Sequence, residues 1–128
     1  MTVVCADKLV HTNIFAKYYA DNITNEDCWW WRSNNGAYHV LSHRMTPADR
    51  TGAASGGHGY ATSIDDWHYA LTPAYTTTLE LEGGGTVNVK RRERPQLLLR
   101  NGTPAVLYNG VMPEHGLPFT WAQAFGGP

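Results

Sequence analysis

Residues 91–111 carry the sequence RRERPQLLLRNGTPAVLYNGV, and this stretch decides the fold. Two apolar runs, Gln96–Leu99 and Ala105–Tyr108, stand on either side of Asn101-Gly102. Because Asn-Gly adopts the positive backbone angles of a tight turn, the two runs are predicted to pair as antiparallel strands. Glu93 stands among arginines at the entrance of this hairpin, and guanidinium groups form forked contacts with carboxylates and polar ligands. Glu93 is therefore the first candidate for a functional residue.

Three further hairpins are predicted upstream of this one. Each joins two short runs, rich in aromatic or alternating apolar residues, across a turn that contains Asn, Asp or Gly. In chain order the paired runs are Trp29–Trp31 with Tyr38–Ser42, Gly59–Ser63 with Trp67–Ala70, and Thr76–Glu82 with Thr86–Lys90. The sequence therefore predicts an all-β chain built as an array of antiparallel hairpins.

The segments outside the hairpins are less regular. Residues 1–25 form an irregular N-terminal segment, in which Leu9–Ala20 is compatible with one short helix or with irregular packing. Residues 45–57 lack periodicity and are predicted to form a loop. Residues 112–128 offer aromatic anchors but no clear element, and are predicted to be a C-terminal docking tail. The chain is predicted to be a single domain, with the hairpins at residues 26–111.

The composition limits the possible partners. The formal net charge is −1, and the basic run Lys90-Arg91-Arg92 is interrupted by Glu93, which does not suit a surface that follows phosphates. No apolar run approaches membrane-spanning length, and the first residues carry no visible export signal. We therefore expect a soluble protein that binds neither nucleic acid nor membrane. Cys5 and Cys28 could form one disulfide bridge, but free, buried thiols are favoured.

The first and fourth hairpins resemble each other. Each has an acidic residue before an apolar strand, an Asn-Gly turn and a tyrosine on the return strand, which suggests a degenerate repeat. The repeat would place Asp27 and Glu93 at equivalent strand starts that face a common axis. Cleavage of a glycosidic bond requires two such carboxylates, one as proton donor to the leaving oxygen and one on the opposite side.

Three motifs in a fixed order carry a resemblance to a known family. They are Glu26-Asp27 followed by Trp31, the run Gly56–Trp67 with its Gly-Gly-His start, and Arg92-Glu93-Arg94-Pro95 followed by leucines. From about residue 26 to residue 111, the chain resembles the glycoside-hydrolase-like five-bladed β-propellers of the arabinanase/xylosidase and invertase groups. A complete propeller of this kind needs about twenty strands, roughly twice what this chain can supply. The resemblance therefore implies a partial β-propeller.

The resemblance also implies catalytic roles. In the family, one Asp is the base or nucleophile, a second Asp supports the transition state and a Glu is the general acid. Asp27 matches the second Asp and Glu93 matches the Glu. No residue matches the first Asp, since the surroundings of Asp7 differ, and Cys28 stands where the family has proline. The resemblance implies no cofactor.

Four residues are candidates for contact with a saccharide. They are Trp30, His58, Arg92 and Arg94. His58 has glycines on both sides, which would let its backbone approach a ligand, and its counterpart in the family lies near the sugar; a structural role is the alternative. Aromatic platforms bind pyranose faces, so Trp30 suits this role, although buried tryptophan in a core is the alternative.

Three histidines are candidate metal ligands. His39, His43 and His58 could in principle form a three-imidazole site. Because a spacing of four residues along a strand separates two rings too far for easy chelation, satisfied core or pocket histidines are favoured. No metal site is predicted.

Three functions are compatible with the sequence. The first is a carbohydrate-active enzyme, or part of one, that hydrolyses O-glycosidic bonds with Glu93 as acid and Asp27 as supporting carboxylate. The second is a non-catalytic saccharide-binding descendant, which needs no third carboxylate. The third is a structural domain whose exposed strand edges pair with a copy of itself or with a larger assembly.

Overall fold

The computed structural model describes residues 24–45, 56–63, 66–70 and 72–126. Its regular elements over these ranges are nine β-strands. They are β1 (Thr24–Arg32), β2 (Tyr38–Met45), β3 (Gly56–Ala61), β4 (Trp67–Tyr69), β5 (Thr78–Glu80), β6 (Thr86–Asn88), β7 (Arg91–Arg100), β8 (Thr103–Met112) and β9 (Phe119–Ala124). No helix in the described part of the chain could cross a membrane.

The strands form three antiparallel sheets in which neighbours in space follow each other in sequence. Sheet A has the order β1-β2-β3-β4, sheet B is the pair β5-β6, and sheet C has the order β7-β8-β9. The predicted all-β class is therefore confirmed, and so are the four hairpins. The strands of the fourth hairpin are longer than predicted, because pairing continues through its charged entrance.

The C-terminal segment differs from the prediction. Instead of an unstructured tail, it contains β9, which pairs with β8 from Val111↔Phe119 to Val106↔Ala124. The strand lies at the edge of sheet C and its side chains are mostly exposed, so its sequence lacks the clear apolar alternation of a half-buried strand. Hydrogen bonding to the edge of β8 therefore determines the conformation of this segment, and the local sequence pattern does not.

Two other predictions concern residues outside the described ranges. The helical alternative at Leu9–Ala20 falls there, as does most of the predicted loop at 45–57. The prediction of free thiols is wrong for Cys28, which is disulfide-bonded, while Cys5 lies outside the described residues. A disulfide depends on proximity in space, which the separation of cysteines in sequence does not reveal.

Matching β-bulges interrupt the first and fourth hairpins. The register of β1 with β2 shifts between Glu26 and Trp29, and that of β7 with β8 shifts between Glu93 and Gln96. Asp27 follows the first glutamate with φ 52°, and the residue after Glu93 has φ 53°. The two hairpins are thus a structural repeat, but Glu93 corresponds to Glu26, one residue away from the predicted counterpart Asp27. The matching bulges contain the same number of residues, so the offset arises on the turn side: Trp31 lies four residues before Asn35, whereas the equivalent Leu98 lies three residues before Asn101.

The main core lies where β1 and β2 pack on β7 and β8. Its buried members are Trp31, Leu41, Tyr75, Leu97 and Leu107, with Trp29 and Leu99 against them. A second cluster of Leu79, Val89 and Val111, with Trp121 against it, attaches the neighbourhood of sheet B to sheet C. Burial of these side chains is the main force that holds the hairpins together. This packing also fixes the relative positions of the two bulges.

Candidate active site

Three carboxylates from two distant hairpins meet beside the bulges. We call Glu26, Asp27 and Glu93 the carboxylate cluster. One carboxylate oxygen of Glu26, one of Glu93 and a ring nitrogen of His43 all lie within 4.8 Å of one another. Asp27 Oδ2 is 3.9 Å from Nε of Arg94, the residue after Glu93. The structure therefore brings together Asp27, Glu93 and Arg94, three of the residues that the sequence singled out.

His43 forms the buried wall of the cluster. It lies opposite Glu26 in the strand register, its side chain is 1% exposed, and its Nδ1 is 3.3 Å from Glu26 Oε1. Its Nε2 is buried without a hydrogen-bond partner among the described residues. The sequence did not single out Glu26 or His43 for this role. Only the cross-strand register, counted back from the Asn-Gly turn, could have paired them.

Two arginines balance the charge of the cluster. Arg91 Nη1 is 3.7 Å from Glu93 Oε2, and Arg94 faces Asp27. Both arginines are partly or largely exposed, so water screens these pairs and each contributes little to stability. Their positions next to the carboxylates can still orient an incoming polar ligand, because arginine offers several donors in a fixed plane.

The carboxyl group of Asp27 has a perturbed affinity for protons. Partial burial raises its pKa above the ordinary value, and the neighbouring charge of Glu26 acts in the same direction, while Arg94 acts against both. Asp27 therefore keeps its proton to a higher pH than a solvated aspartate does. Perturbed pKa values of this kind are common at functional sites.

The same cluster is a group that could hold a metal ion. Glu26, His43 and Glu93 offer one imidazole nitrogen and two carboxylate oxygens. The alternative arrangement of three imidazoles is not formed, because His39 Nδ1 and His58 Nε2 are hydrogen-bonded at 3.1 Å while His43 faces Glu26. The three histidines thus serve two separate networks.

His58 belongs to an aromatic stack in the main core. Trp31 lies on His39 with ring centroids 4.6 Å apart, and on His58 with centroids 5.9 Å apart, all nearly parallel. His39 Nε2 also lies 3.1 Å from Ser33 Oγ. His58 borders an apolar cavity of about 350 Å³ together with Leu41 and other core residues. The structure thus places His58 in the packing between the sheets and beside a cavity.

Acid should weaken this stack. Burial, followed by the neighbouring His39, lowers the pKa of His58 from 6.5 to about 4. Since the folded state favours the neutral ring, its contribution is complete above pH 6.5 and is lost as the pH falls towards 4. We expect the free energy of unfolding to decrease over this interval, as measured by urea denaturation at a series of pH values.

Two variants check this assignment. His58→Phe keeps an aromatic ring but cannot be protonated, so its stability should fall less steeply between pH 6.5 and 4. His115→Phe, at an exposed position before β9, should retain the wild-type slope. An unchanged slope in His58→Phe would assign the acid sensitivity to other groups.

Arg92 and Trp30 occupy different surroundings from the cluster. Arg92 is 2% exposed and donates hydrogen bonds to Asn109 Oδ1, Gln123 Oε1 and the carbonyl of Thr76. The guanidinium group of Arg92 is therefore a buried structural group. Trp30 is 39% exposed, and strand alternation places it on the face of sheet A opposite Trp31.

Comparisons with known proteins add no relative. No family model matches the chain, and neither curated proteins nor solved structures give a match. The resemblance to five-bladed propellers therefore stays a prediction from the sequence.

Proposed function

We propose that this chain carries a glycoside-hydrolase-like carbohydrate site, and that the carboxylate cluster is its chemical centre. The observation that carries the proposal is the convergence of Asp27 and Glu93, which the sequence had selected as a catalytic pair from two separate motifs. The open arrangement of blade-like sheets is compatible with a partial propeller. The expected ligand is a saccharide, and the reaction class is hydrolysis of an O-glycosidic bond.

The proposed division of roles follows the resemblance of the two motifs to the family. Glu93, with a side chain 21% exposed, donates a proton to the leaving oxygen. Asp27 supports the charge that develops on the sugar ring. Glu26 supplies a third carboxylate, where the sequence had found no counterpart for the first acid of the family. Arg94 and Arg91 contact hydroxyl groups of the sugar.

The spacing favours one stereochemical outcome. A carboxylate oxygen of Glu26 lies within 4.8 Å of a carboxylate oxygen of Glu93. Retaining glycosidases hold their two carboxyl groups roughly 5 Å apart, whereas inverting enzymes leave roughly 6.5–9.5 Å for a water molecule. With Glu26 as the nucleophile, in the place of the family's first acid, and Glu93 as the acid, we therefore expect retention of configuration, which NMR of the first anomer released would show.

The test is hydrolysis of a panel of aryl glycosides by the wild type and by Glu93→Gln. We expect turnover by the wild type and its loss in the variant, because the amide cannot donate the required proton. Glu114→Gln, at an exposed position in the turn before β9, is the matched control and should keep full activity. Turnover that persists in Glu93→Gln would remove this residue from the acid role.

The second candidate function is binding of a saccharide without catalysis. It is favoured by the arginine partners of Asp27 and Glu93, which engage both carboxylates. Titration with oligosaccharides, followed by tryptophan fluorescence, separates the two functions. Binding without turnover of any glycoside in the panel would establish the second and exclude the first for those substrates.

A further inference from the structure

The tip of the fourth hairpin carries a pattern that the proposed carbohydrate site does not use. Asn101, Gly102 and Thr103 match Asn-x-Ser/Thr with a residue other than proline in the middle, which is the acceptor pattern for N-linked glycosylation. Arg100 pairs with Thr103 across the ends of β7 and β8, so Asn101 and Gly102 are the two residues of the turn. The acceptor asparagine therefore lies at the tip of a hairpin.

The turn explains only part of this pattern. Asn101 has φ 49° and Gly102 has φ 74°, and Asn-Gly is the pair that adopts two positive φ angles most readily. In the first hairpin the Asn-Gly of the turn is followed by Ala37, so the hairpin does not need a hydroxyl there. Because threonine also suits a strand, accessibility and cellular compartment decide whether the pattern is an acceptor.

The pattern is accessible in the folded chain. Asn101 and Thr103 are both exposed. Asn34, in the turn of the first hairpin, donates through Nδ2 to the backbone carbonyl of Asn101. This contact uses the backbone, and the side-chain amide of Asn101 takes no part in it. An exposed side chain at a hairpin tip can carry a bulky glycan without displacing packed residues.

The state of Cys28 indicates the compartment. Cys28 is disulfide-bonded. Disulfides form and persist in oxidising environments such as the lumen of the endoplasmic reticulum and the cell exterior, and they are rare in the cytosol. N-linked glycans are attached in that same lumen. A chain that acquires its disulfide there therefore meets the enzymes that glycosylate the pattern at Asn101.

We propose that Asn101 is an acceptor of an N-linked oligosaccharide. Its Nδ2 forms a bond to the anomeric carbon of an oligosaccharide that is carried on a lipid diphosphate. The bond from that carbon to the diphosphate oxygen breaks, its electron pair leaves with the diphosphate, and Nδ2 loses one proton. Asn101 follows β7 and lies eight residues after Glu93, roughly 25 Å along an extended strand, so this site is independent of the carboxylate cluster.

Expression in the secretory pathway of a yeast, behind the signal peptide of the host, tests the proposal. An endoglycosidase that leaves one N-acetylglucosamine on each occupied asparagine tags the sites, and peptide mapping by mass spectrometry locates the tags. We expect a tag on Asn101 and none on Asn35, the asparagine of the other Asn-Gly turn. Asn22 has the same acceptor pattern and is mapped separately, so a glycan there does not count as support.

Two variants of Thr103 separate the acceptor pattern from the turn. Both leave Asn101 and Gly102 in place, and valine keeps the β-branched shape of threonine, but only serine keeps the hydroxyl of the pattern. We expect the tag on Asn101 to be lost in Thr103→Val and retained in Thr103→Ser. If Thr103→Val is poorly secreted, the map of the wild type still decides, because it needs no variant.

Three results would overturn the proposal. The first is a secreted wild-type protein without a tag on Asn101. The second is a tag that persists in Thr103→Val. The third is a free thiol at Cys28 in the secreted protein, detected by alkylation under non-reducing conditions, which would remove the argument for the compartment.

Discussion

Arg92→Met is expected to lower the free energy of unfolding by about 3 kcal/mol, the loss typical of a broken buried polar network. Arg92 Nε donates to Asn109 Oδ1 at 2.9 Å and Nη2 donates to Gln123 Oε1 at 2.7 Å. Its guanidinium carbon also lies 5.0 Å from the ring centroid of Tyr75. Methionine fills a similar volume but donates no hydrogen bond, so buried acceptors would lose their partner.

The same variant should disturb the candidate active site. Asn109, which is 1% exposed, accepts from Arg92 and donates through Nδ2 to the backbone carbonyl of Glu93 at 3.3 Å. Arg92 therefore helps to fix the backbone from which Glu93 extends. If the proposed hydrolysis is observed, the variant should lose part of it under conditions in which it remains folded.

Urea denaturation of Arg92→Met beside Arg100→Met measures the first effect. Arg100 is exposed at the end of β7, and its replacement should change the free energy of unfolding by less than about 0.5 kcal/mol. Similar stability losses in both variants would contradict a special role for the buried guanidinium.

Trp31→Ala is expected to destabilise the fold by about 4 kcal/mol, because truncation of a large buried ring removes its packing and leaves a cavity. Trp31 is 8% exposed, stacks on His39 and joins the core that holds sheet A to sheet C. Its loss would enlarge the existing cavity beside His58. The two hairpins would then dock less firmly.

The neighbouring tryptophan provides the matched control. Trp30→Ala removes the same side chain from a position that is 39% exposed, and should cost less than about 1.5 kcal/mol. The two variants can be compared by thermal and urea denaturation. Equal losses would show that the alternation of β1 does not separate a core tryptophan from a surface one. If Trp30 contacts a saccharide, its variant should also bind oligosaccharide more weakly while keeping its fold.

The sequence predicted the hairpins well, for a local reason. The Asn-Gly turns impose positive backbone angles, and the apolar runs beside them identify the paired strands. β9 was missed because an edge strand with exposed side chains carries little pattern, and its hydrogen-bonding partner is supplied by β8. The local sequence was sufficient to predict the hairpins, whose turn residues determine the backbone conformation. It was insufficient for β9, whose conformation is determined by its partner strand.

The candidate site was predicted in part. Glu93 and Asp27 could be selected because each lies in a motif of residues that are close in sequence. Glu26 and His43 could not, because their roles depend on the bulge and on cross-strand register. The charge of Arg92 suggested a ligand contact, but burial inside sheet C is a property of three-dimensional packing that an arginine-rich motif does not show.

The sequential order of the strands has a consequence for how the molecule folds. Within each sheet every strand pairs with its neighbour in sequence, so each sheet can form from local contacts with short loops to close. Docking of β1 and β2 on β7 and β8 joins segments far apart in the chain, and it is the slower kind of event. Glu93 meets Glu26 and Asp27 only across this contact, so the carboxylate cluster should be among the last parts of the protein to assemble.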